Sequence, residues 1–413
     1  MTPILKGFLL VSIIKMLLVF TVVMVGVALL TLMERKVSAW MQNRRGPNRV
    51  GPAGLLQPAA DGLKNILKEE TFPALANRWL FLLAPALSFI PALLLFAVIP
   101  FGAPLPLNFD FTLGPLGRFV HHGTMPMVVA DLPIGFLFVL AISSMGVYGI
   151  ALAGWSSNSK YALLGGLRAC AQMVSYEVPM GLSLIPVLLL SGNVSLSAIV
   201  HEQQLGLWYV LPLFLSFFIF LISGFAETNR LLFDLPEAES ELIAGYHTEY
   251  SAMKFSFFFI AEYANVVTVC AMVTTLFFGG WDIPGRWDEQ GGVLQTLATG
   301  GFFFLKVMFW IFFVMWIRWT LPRFRYDQLM ALGWKVLMPL ALAYIMVICT
   351  AIYGIEHLAG IVDPKLRSLA LFGVNVVVGL LVFGLLDSGV FIKGSNRRQQ
   401  TSKALSKRAT VTG

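Results

Sequence analysis

Charge is scarce in this chain: only 12% of its 413 residues are Asp, Glu, Lys or Arg, against 57% apolar residues. Soluble domains carry about a quarter of their residues charged, so an ordinary water-soluble fold is excluded. Cysteine is scarcer still. Its three copies, Cys170, Cys270 and Cys349, stand singly inside apolar runs and form no C-x-x-C pair. That excludes a disulfide framework and any iron–sulfur or metal site built from cysteine pairs, and leaves the cysteines as small packing residues. Internal repetition is also missing, both as inverted halves and as a short period, which argues against a secondary transporter assembled from repeats.

Long apolar runs are what the chain has instead. Crossing a hydrocarbon core of ~30 Å takes about 20 residues of helix. Nine runs approach or exceed that length, near 8–33, 79–100, 131–154, 161–190, 208–226, 251–277, 302–321, 336–354 and 367–391. Backbone groups in lipid must be satisfied internally, so runs of this length are helices. The expected fold is an all-α polytopic membrane protein with about nine transmembrane helices, one membrane domain over 1–392 and a basic, disordered cytoplasmic tail over 393–413. The first run is too long for a cleaved signal peptide, is interrupted by Lys15, and meets no small-residue cleavage site before Glu34. Lysine and arginine set the orientation. Twenty-two of them fall on one face of this arrangement and five on the other, which puts the N-terminus outside and the C-terminus inside.

The connections differ by side. The external ones (100–127, 191–207, 278–300, 355–366) read as plain loops. On the cytoplasmic side, MQNRRGPNRVGPAG at 41–54 alternates Gly and Pro with arginines, a stiff turn that displays guanidinium groups. The next segment, LLQPAADGLKNILKEE, places Leu55, Leu56, Leu63, Ile66 and Leu67 on one side of an amphipathic helix lying in the interface, with Asp61 on its polar side.

Ionisable groups inside membrane helices are costly and need a reason. Glu177 lies nine residues past Arg168, ~13 Å along a helix and about half the bilayer. Pro179 frees the carbonyl of Ser175 beside it. Glu262 lies eight residues past Lys254, at a similar depth. Two acids at matching depth favour a proton path over two unrelated packing acids. Lys15, Asp131, Lys306 and Asp387 sit nearer the expected helix ends, where snorkelling or capping is the ordinary role.

The stretch AETNRLLFDLPEAESELIAGYHTEY, 226–250, concentrates Glu227, Asp234, Glu237, Glu239, Glu241 and Glu249 with a single arginine, Arg230. If it is helical after Pro236, Glu237 and Glu241 share a face and Glu239 points away. Acids so close share protons and titrate as a group. Leu235, Ala238, Leu242, Ile243 and Tyr246 are interleaved with them, a half-buried pattern unlike that of a solvated loop.

Five motifs carry a resemblance. They are ERK at 34–36, RRGPNRVGPAGLLQPAADGLK at 44–64, GWSSNSKYALLGGLRACAQMVSYE at 154–177, AETNR with FDLPEAESELIAGYHTEY, and PRFRYDQLM at 322–330. In this order, over roughly 8–390, the chain resembles the quinone-site membrane subunit of proton-pumping NADH:quinone oxidoreductase, or respiratory complex I (the bacterial H subunit, the mitochondrial subunit 1). Leu232 departs from the proline usual in that family before the Phe-Asp pair.

The resemblance implies a subunit of a translocase of the cell inner membrane, with no redox centre of its own. Quinone, such as ubiquinone, is the substrate, while iron–sulfur clusters and FMN reside in partner subunits. The partners implied are a peripheral arm bearing the terminal iron–sulfur cluster, small membrane subunits, antiporter-like subunits and the lipid bilayer; nucleic acid is not among them. Arg35, Arg45, Asp61, Phe233 and Asp234 are expected to bind quinone. Glu34, Glu177, Glu227, Glu237, Glu239, Glu241, Glu249 and Glu262 are expected to form the proton path. Arg230, Arg323, Arg325 and Asp327 are expected to hold the acidic loop or the interface. Two alternatives stay open at this point: the equivalent subunit of an energy-converting hydrogenase-type complex, and a stand-alone proton or cation transporter.

Overall fold

The computed structural model describes residues 3–112, 118–230, 233–236, 239–284, 292–360 and 363–387. Glu237, Leu232 and the tail 393–413 lie outside them, as do the side chains of Glu239 and Asp387. In chain order, α1 (Pro3–Met41) is followed by the short interfacial helix α2 (Gln57–Leu67) and by α3 (Arg78–Leu94). A hairpin of β1 (Gly102–Thr112) and β2 (Arg118–Met127) precedes α4 (Gly135–Ser156) and α5 (Lys160–Ser191). Then come α6 (Leu196–Leu205), α7 (Phe214–Glu227), the single turn α8 (Glu239–Leu242) and α9 (Ala252–Phe277). The remaining helices are α10 (Val293–Thr320), α11 (Tyr326–Ala331), α12 (Met338–Tyr353) and α13 (Pro364–Asp387), with a π-helical turn at Leu332–Leu337 joining α11 to α12.

Among the described residues eight helical spans are long and apolar enough to cross a membrane. The ninth expected run, 208–226, is helical only over Phe214–Glu227. Its 14 residues span about 21 Å, because residues 208–213 form turns around Pro212.

The external connections are not plain loops. Leu105, Leu107, Phe109 and Phe111 alternate with polar residues or proline, the period of a strand, and residues 102–127 pair as an antiparallel hairpin. Lys15 anchors this hairpin by donating to the carbonyls of Pro126 (3.2 Å) and Val128 (2.8 Å). Residues 196–205, also expected as loop, are the helix α6.

Helices α5 and α9 are the most buried spans, and α1 and α13 the least. Helix α5 packs on α4 and α7, and α3 on α4 and α9. Small residues permit the closest crossings. A Cβ on Gly166 would lie 3.3 Å from the Cα of Gly154, so α4 and α5 touch backbone to backbone. At Gly165 a Cβ would meet the Cα of Gly245 at 2.6 Å, which seats the acidic loop directly on α5.

Lys306 corrects an expectation. Its helix begins at Val293, nine residues before the expected start, so Lys306 is mid-helix and buried instead of snorkelling from an end. Its ammonium caps the carbonyls that close α9: Phe278 (2.7 Å), Gly280 (2.9 Å) and Asp282 (2.8 Å). The amphipathic helix is where its pattern put it. Leu55, Leu56, Leu63, Ile66 and Leu67 are all more than half exposed, while Asp61 turns back to α1.

Candidate functional site

Four elements bring ionisable side chains to one point. Glu34 arrives on the last part of α1, Arg230 just after α7, Glu262 and Tyr263 on α9, and Arg318 near the end of α10. The Tyr263 hydroxyl donates to Glu34 Oε2 at 2.6 Å, and Arg318 donates to Glu34 Oε1. Arg230 stands between the two acids, 3.9 Å from Glu34 Oε2 and 3.6 Å from Glu262 Oε1, with its guanidinium 4.0 Å above the Tyr263 ring. Glu34 and Arg230 are buried. Burying such charges is tolerable only when they are paired, and arginine's planar fork and affinity for aromatic faces let Arg230 serve three neighbours at once.

Beside this cluster is a cavity of about 610 Å³, lined by Asn229, Arg230, Asp234, His247, Glu262 and Arg318 among others. A second cavity, of about 570 Å³, is lined by Ser143, Glu177, Glu227, Asn229, Glu262 and Asn265 among others. Glu262 and Asn229 belong to both walls. A third cavity, of about 410 Å³, continues from Ser143, Glu227 and Asn265 into mostly apolar surroundings. The polar lining therefore runs from the Arg230 cluster past Glu262 to Glu227 and Glu177 and then fades.

His247 ends the last turn of the acidic loop and faces the first cavity, where Arg230, Asp234, Glu262 and Arg318 are its charged neighbours. Burial lowers its pKa to about 4. An unfolded histidine titrates near ~6.5, so protonation favours the opened loop. The closed loop keeps its full stability above that value and loses it as pH falls toward 4. Hydrogen exchange over 243–250 is expected to show the loop weakened by about 2 kcal/mol between pH 7 and pH 5. In His247→Asn that pH dependence disappears; if it persists unchanged, another group is responsible.

The family model described as NADH dehydrogenase matches residues 14–349. The second of two H subunits of NADH-quinone oxidoreductase from Koribacter versatilis is 54% identical over 346 residues, 82% of this chain and 96% of that protein. The first H subunit of the same enzyme from Geobacter metallireducens is 53% identical over 333 residues, 81% of this chain and 94% of that one. The H subunit from Leptospira biflexa is 50% identical over 335 residues, covering 81% and 92%. The chain belongs to the H-subunit family of NADH-quinone oxidoreductase.

In this H-subunit family member the remaining candidates fall into three groups. At the interfacial helix, Arg35 pairs with Asp61 at 2.6 Å and Gln57 Nε2 donates to the same carboxylate at 3.1 Å, tying α2 to α1; Arg45 is exposed on the turn between them. At the start of the acidic loop, Phe233 is buried edge-on to Tyr176 and against Phe324, and Asp234 pairs with Arg323 at 3.3 Å. Arg323 thus reaches the acidic loop. Arg325 is exposed and Asp327 lies beside it at the start of α11, where the Arg325 amide donates to Gln328 Oε1 at 3.1 Å.

The third group is the rest of the loop. Glu241 is exposed and pairs with Arg168 at 2.8 Å, away from both cavities, and Glu249 is half-buried and also outside their linings. The loop is helical at Glu239–Leu242 for one turn only.

Sequence reasoning missed several participants. Arg318 reads in sequence as an ordinary cytoplasmic anchor, yet it binds Glu34. Arg168, used above only to gauge depth, bridges Glu241 and the ring of Tyr326, 5.5 Å away. Ser143, Asn229 and Asn265 are uncharged and carry no pattern. Only Arg318 and Arg168 left a usable signal, a guanidinium near the end of an apolar helix facing an acid-rich loop.

Proposed function

We propose that this chain is the membrane subunit of a proton-translocating NADH:quinone oxidoreductase. It forms the membrane side of the quinone chamber and passes the effect of quinone reduction into a line of carboxylates. The observation that carries the reading is the sharing of Glu262 by two adjoining polar cavities, one touching the Arg230 cluster and the other holding Glu177 and Glu227. Electrons come from an iron–sulfur cluster of a peripheral partner. Reducing quinone to quinol takes up two electrons and two protons, and the charge change falls next to Arg230 and Asp234. Arg35, Arg45, Asp61, Phe233 and Asp234 guide the headgroup past the interfacial helix, where a mostly apolar passage needs few polar groups.

The proton path in this reading is Glu34, Glu262, Glu227 and Glu177, with Glu237, Glu239, Glu241 and Glu249 at its cytoplasmic mouth. A change in the charge near Arg230 alters how firmly Glu262 is held, and proton occupancy responds along the line. Antiporter-like and small membrane partners complete the pump. The lysine and arginine distribution supports an N-terminus outside and a C-terminus in the cytoplasm, in the cell inner membrane.

Glu177→Gln tests the reading, because glutamine keeps size and hydrogen bonding but cannot titrate. In membrane vesicles with normal amounts of assembled complex, we expect NADH oxidation and proton uptake to fall together by roughly tenfold or more. Normal pumping at a normal rate would reduce Glu177 to a packing acid.

A further inference from the structure

Gln172 lies on α5 between Arg168 and Glu177 and is fully buried. Its side-chain nitrogen lies 2.9 Å from the Ala226 carbonyl, 3.0 Å from Asn229 Oδ1 and 2.9 Å from the Phe233 carbonyl. Those acceptors bracket Arg230. All three are oxygens, so the amide's orientation is determined: exchanging its N and O would set oxygen against oxygen. Two N–H groups serve three acceptors, while the amide's own oxygen, Oε1, is buried without a hydrogen-bond partner among the described residues. Everything this side chain contributes, it contributes as a donor.

The turn it holds needs holding. Asn229 has φ of +48°, in the left-handed region that asparagine tolerates better than most residues. Asn229 is also buried, and with Glu262 it lines both cavities. Since its Oδ1 accepts from Gln172, its amide has N–H groups to offer those cavities. A donor at that neck can hold a water or a carboxylate oxygen between Glu262 and Glu227.

We propose that Gln172 is a positioning residue for proton transfer between the two cavities. By holding Asn229 Oδ1 it leaves a donor at the neck, and by holding Ala226 and Phe233 it locks the turn that carries Arg230 onto the helix that carries Glu177. This rests on the reading that the four membrane carboxylates carry protons.

The test uses purified, assembled complex carrying Gln172→Leu, Gln172→Glu or Asn229→Gly. Asn229→Gly keeps the left-handed backbone accessible and removes only the donor. In Gln172→Leu and Asn229→Gly, quinone-dependent NADH oxidation is expected to fall roughly tenfold with the quinone KM held within about twofold. The solvent deuterium isotope effect on kcat rises above wild type, because proton transfer becomes the slow step. Gln172→Glu donates only when its carboxyl is protonated, so its turnover recovers, relative to wild type, as the assay is made more acidic. A residue that merely props the fold lowers the amount of complex and leaves the isotope effect alone.

Wild-type turnover in Asn229→Gly, or lower turnover with an unchanged isotope effect, overturns the proposal. Asn229→Gly decides the matter if Gln172→Leu fails to assemble. If Glu177→Gln is defective while these variants behave as wild type, only this inference falls; if Glu177→Gln is itself normal, the carboxylate path falls with it.

Discussion

Arg230→Met is expected to suppress quinone-linked turnover by at least about 100-fold and to destabilise the subunit. Removing one partner of a buried ion pair costs about 3–5 kcal/mol, because the charge left behind is neither solvated nor paired. Here the two acids suffer unequally. Glu34 keeps the hydroxyl of Tyr263 and the guanidinium of Arg318. The loss falls on Glu262, whose ion pair is with Arg230 at 3.6 Å. Glu262 then holds its proton instead of exchanging it, and the two cavities that meet at it are uncoupled. Arg230→Lys recovers only part of the activity, since one ammonium cannot reach both acids and cover the Tyr263 ring as a planar guanidinium does. NADH oxidation and proton uptake by assembled complex in vesicles measure the effect, and native gels report assembly. Wild-type turnover in Arg230→Met would remove the cluster from the mechanism.

Lys306→Met should cost stability more than chemistry. Three carbonyls, of Phe278, Gly280 and Asp282, take their bonds from one buried ammonium. Methionine fills similar space and donates nothing. Leaving buried acceptors unmet costs about 1–3 kcal/mol each, so a loss on the order of 3 kcal/mol or more is expected after partial relaxation. The turn at stake cannot easily relax, because Gly279 and Gly280 have φ of +70° and +54° and Asp282 is tied to the indole of Trp208 at 2.7 Å. The ammonium also lies 4.3 Å from the Trp208 ring centre, an attraction that methionine lacks. Thermal unfolding of the purified complex and the yield of assembled subunit are the measurements. Residual complex should turn over at nearly the wild-type rate per molecule. An unchanged melting temperature and yield would show that water or lipid replaces the lysine.

The two lysines expected to snorkel show why side-chain roles inside a membrane resist sequence reading. Lys15 and Lys306 each hold carbonyls of an external segment, and for Lys15 that segment is more than 100 residues away in the chain. Nothing local distinguishes such a lysine from one that reaches for headgroups, because its partners are backbone oxygens that every residue possesses. The hairpin was different. Its alternation of Leu105, Leu107, Phe109 and Phe111 stood in the sequence, but the prolines at 104 and 106 made it read as loop. Proline is compatible with an edge strand, and both strands of a two-stranded sheet are edges.

Composition and periodicity were enough to establish a helical membrane protein, the position of most of its spans, the basic side of each, and the five motifs that place it in its family. Apolar length obliges a helix in lipid, and helical spacing puts acids such as Glu177 and Glu262 at a common depth. Which charges meet was left to the packing. Glu34 and Arg318 are 284 residues apart and Glu34 and Tyr263 are 229 apart, yet they bond, while Glu241 and Glu249, in the same loop as Asp234, stay outside the cavities. The reason is physical. A buried charge is stabilised by whichever opposite charge or donor the helix packing brings within a few ångströms, and that packing is decided by contacts such as Gly154 on Gly166 and Gly165 on Gly245, spread over the whole chain and leaving no local mark.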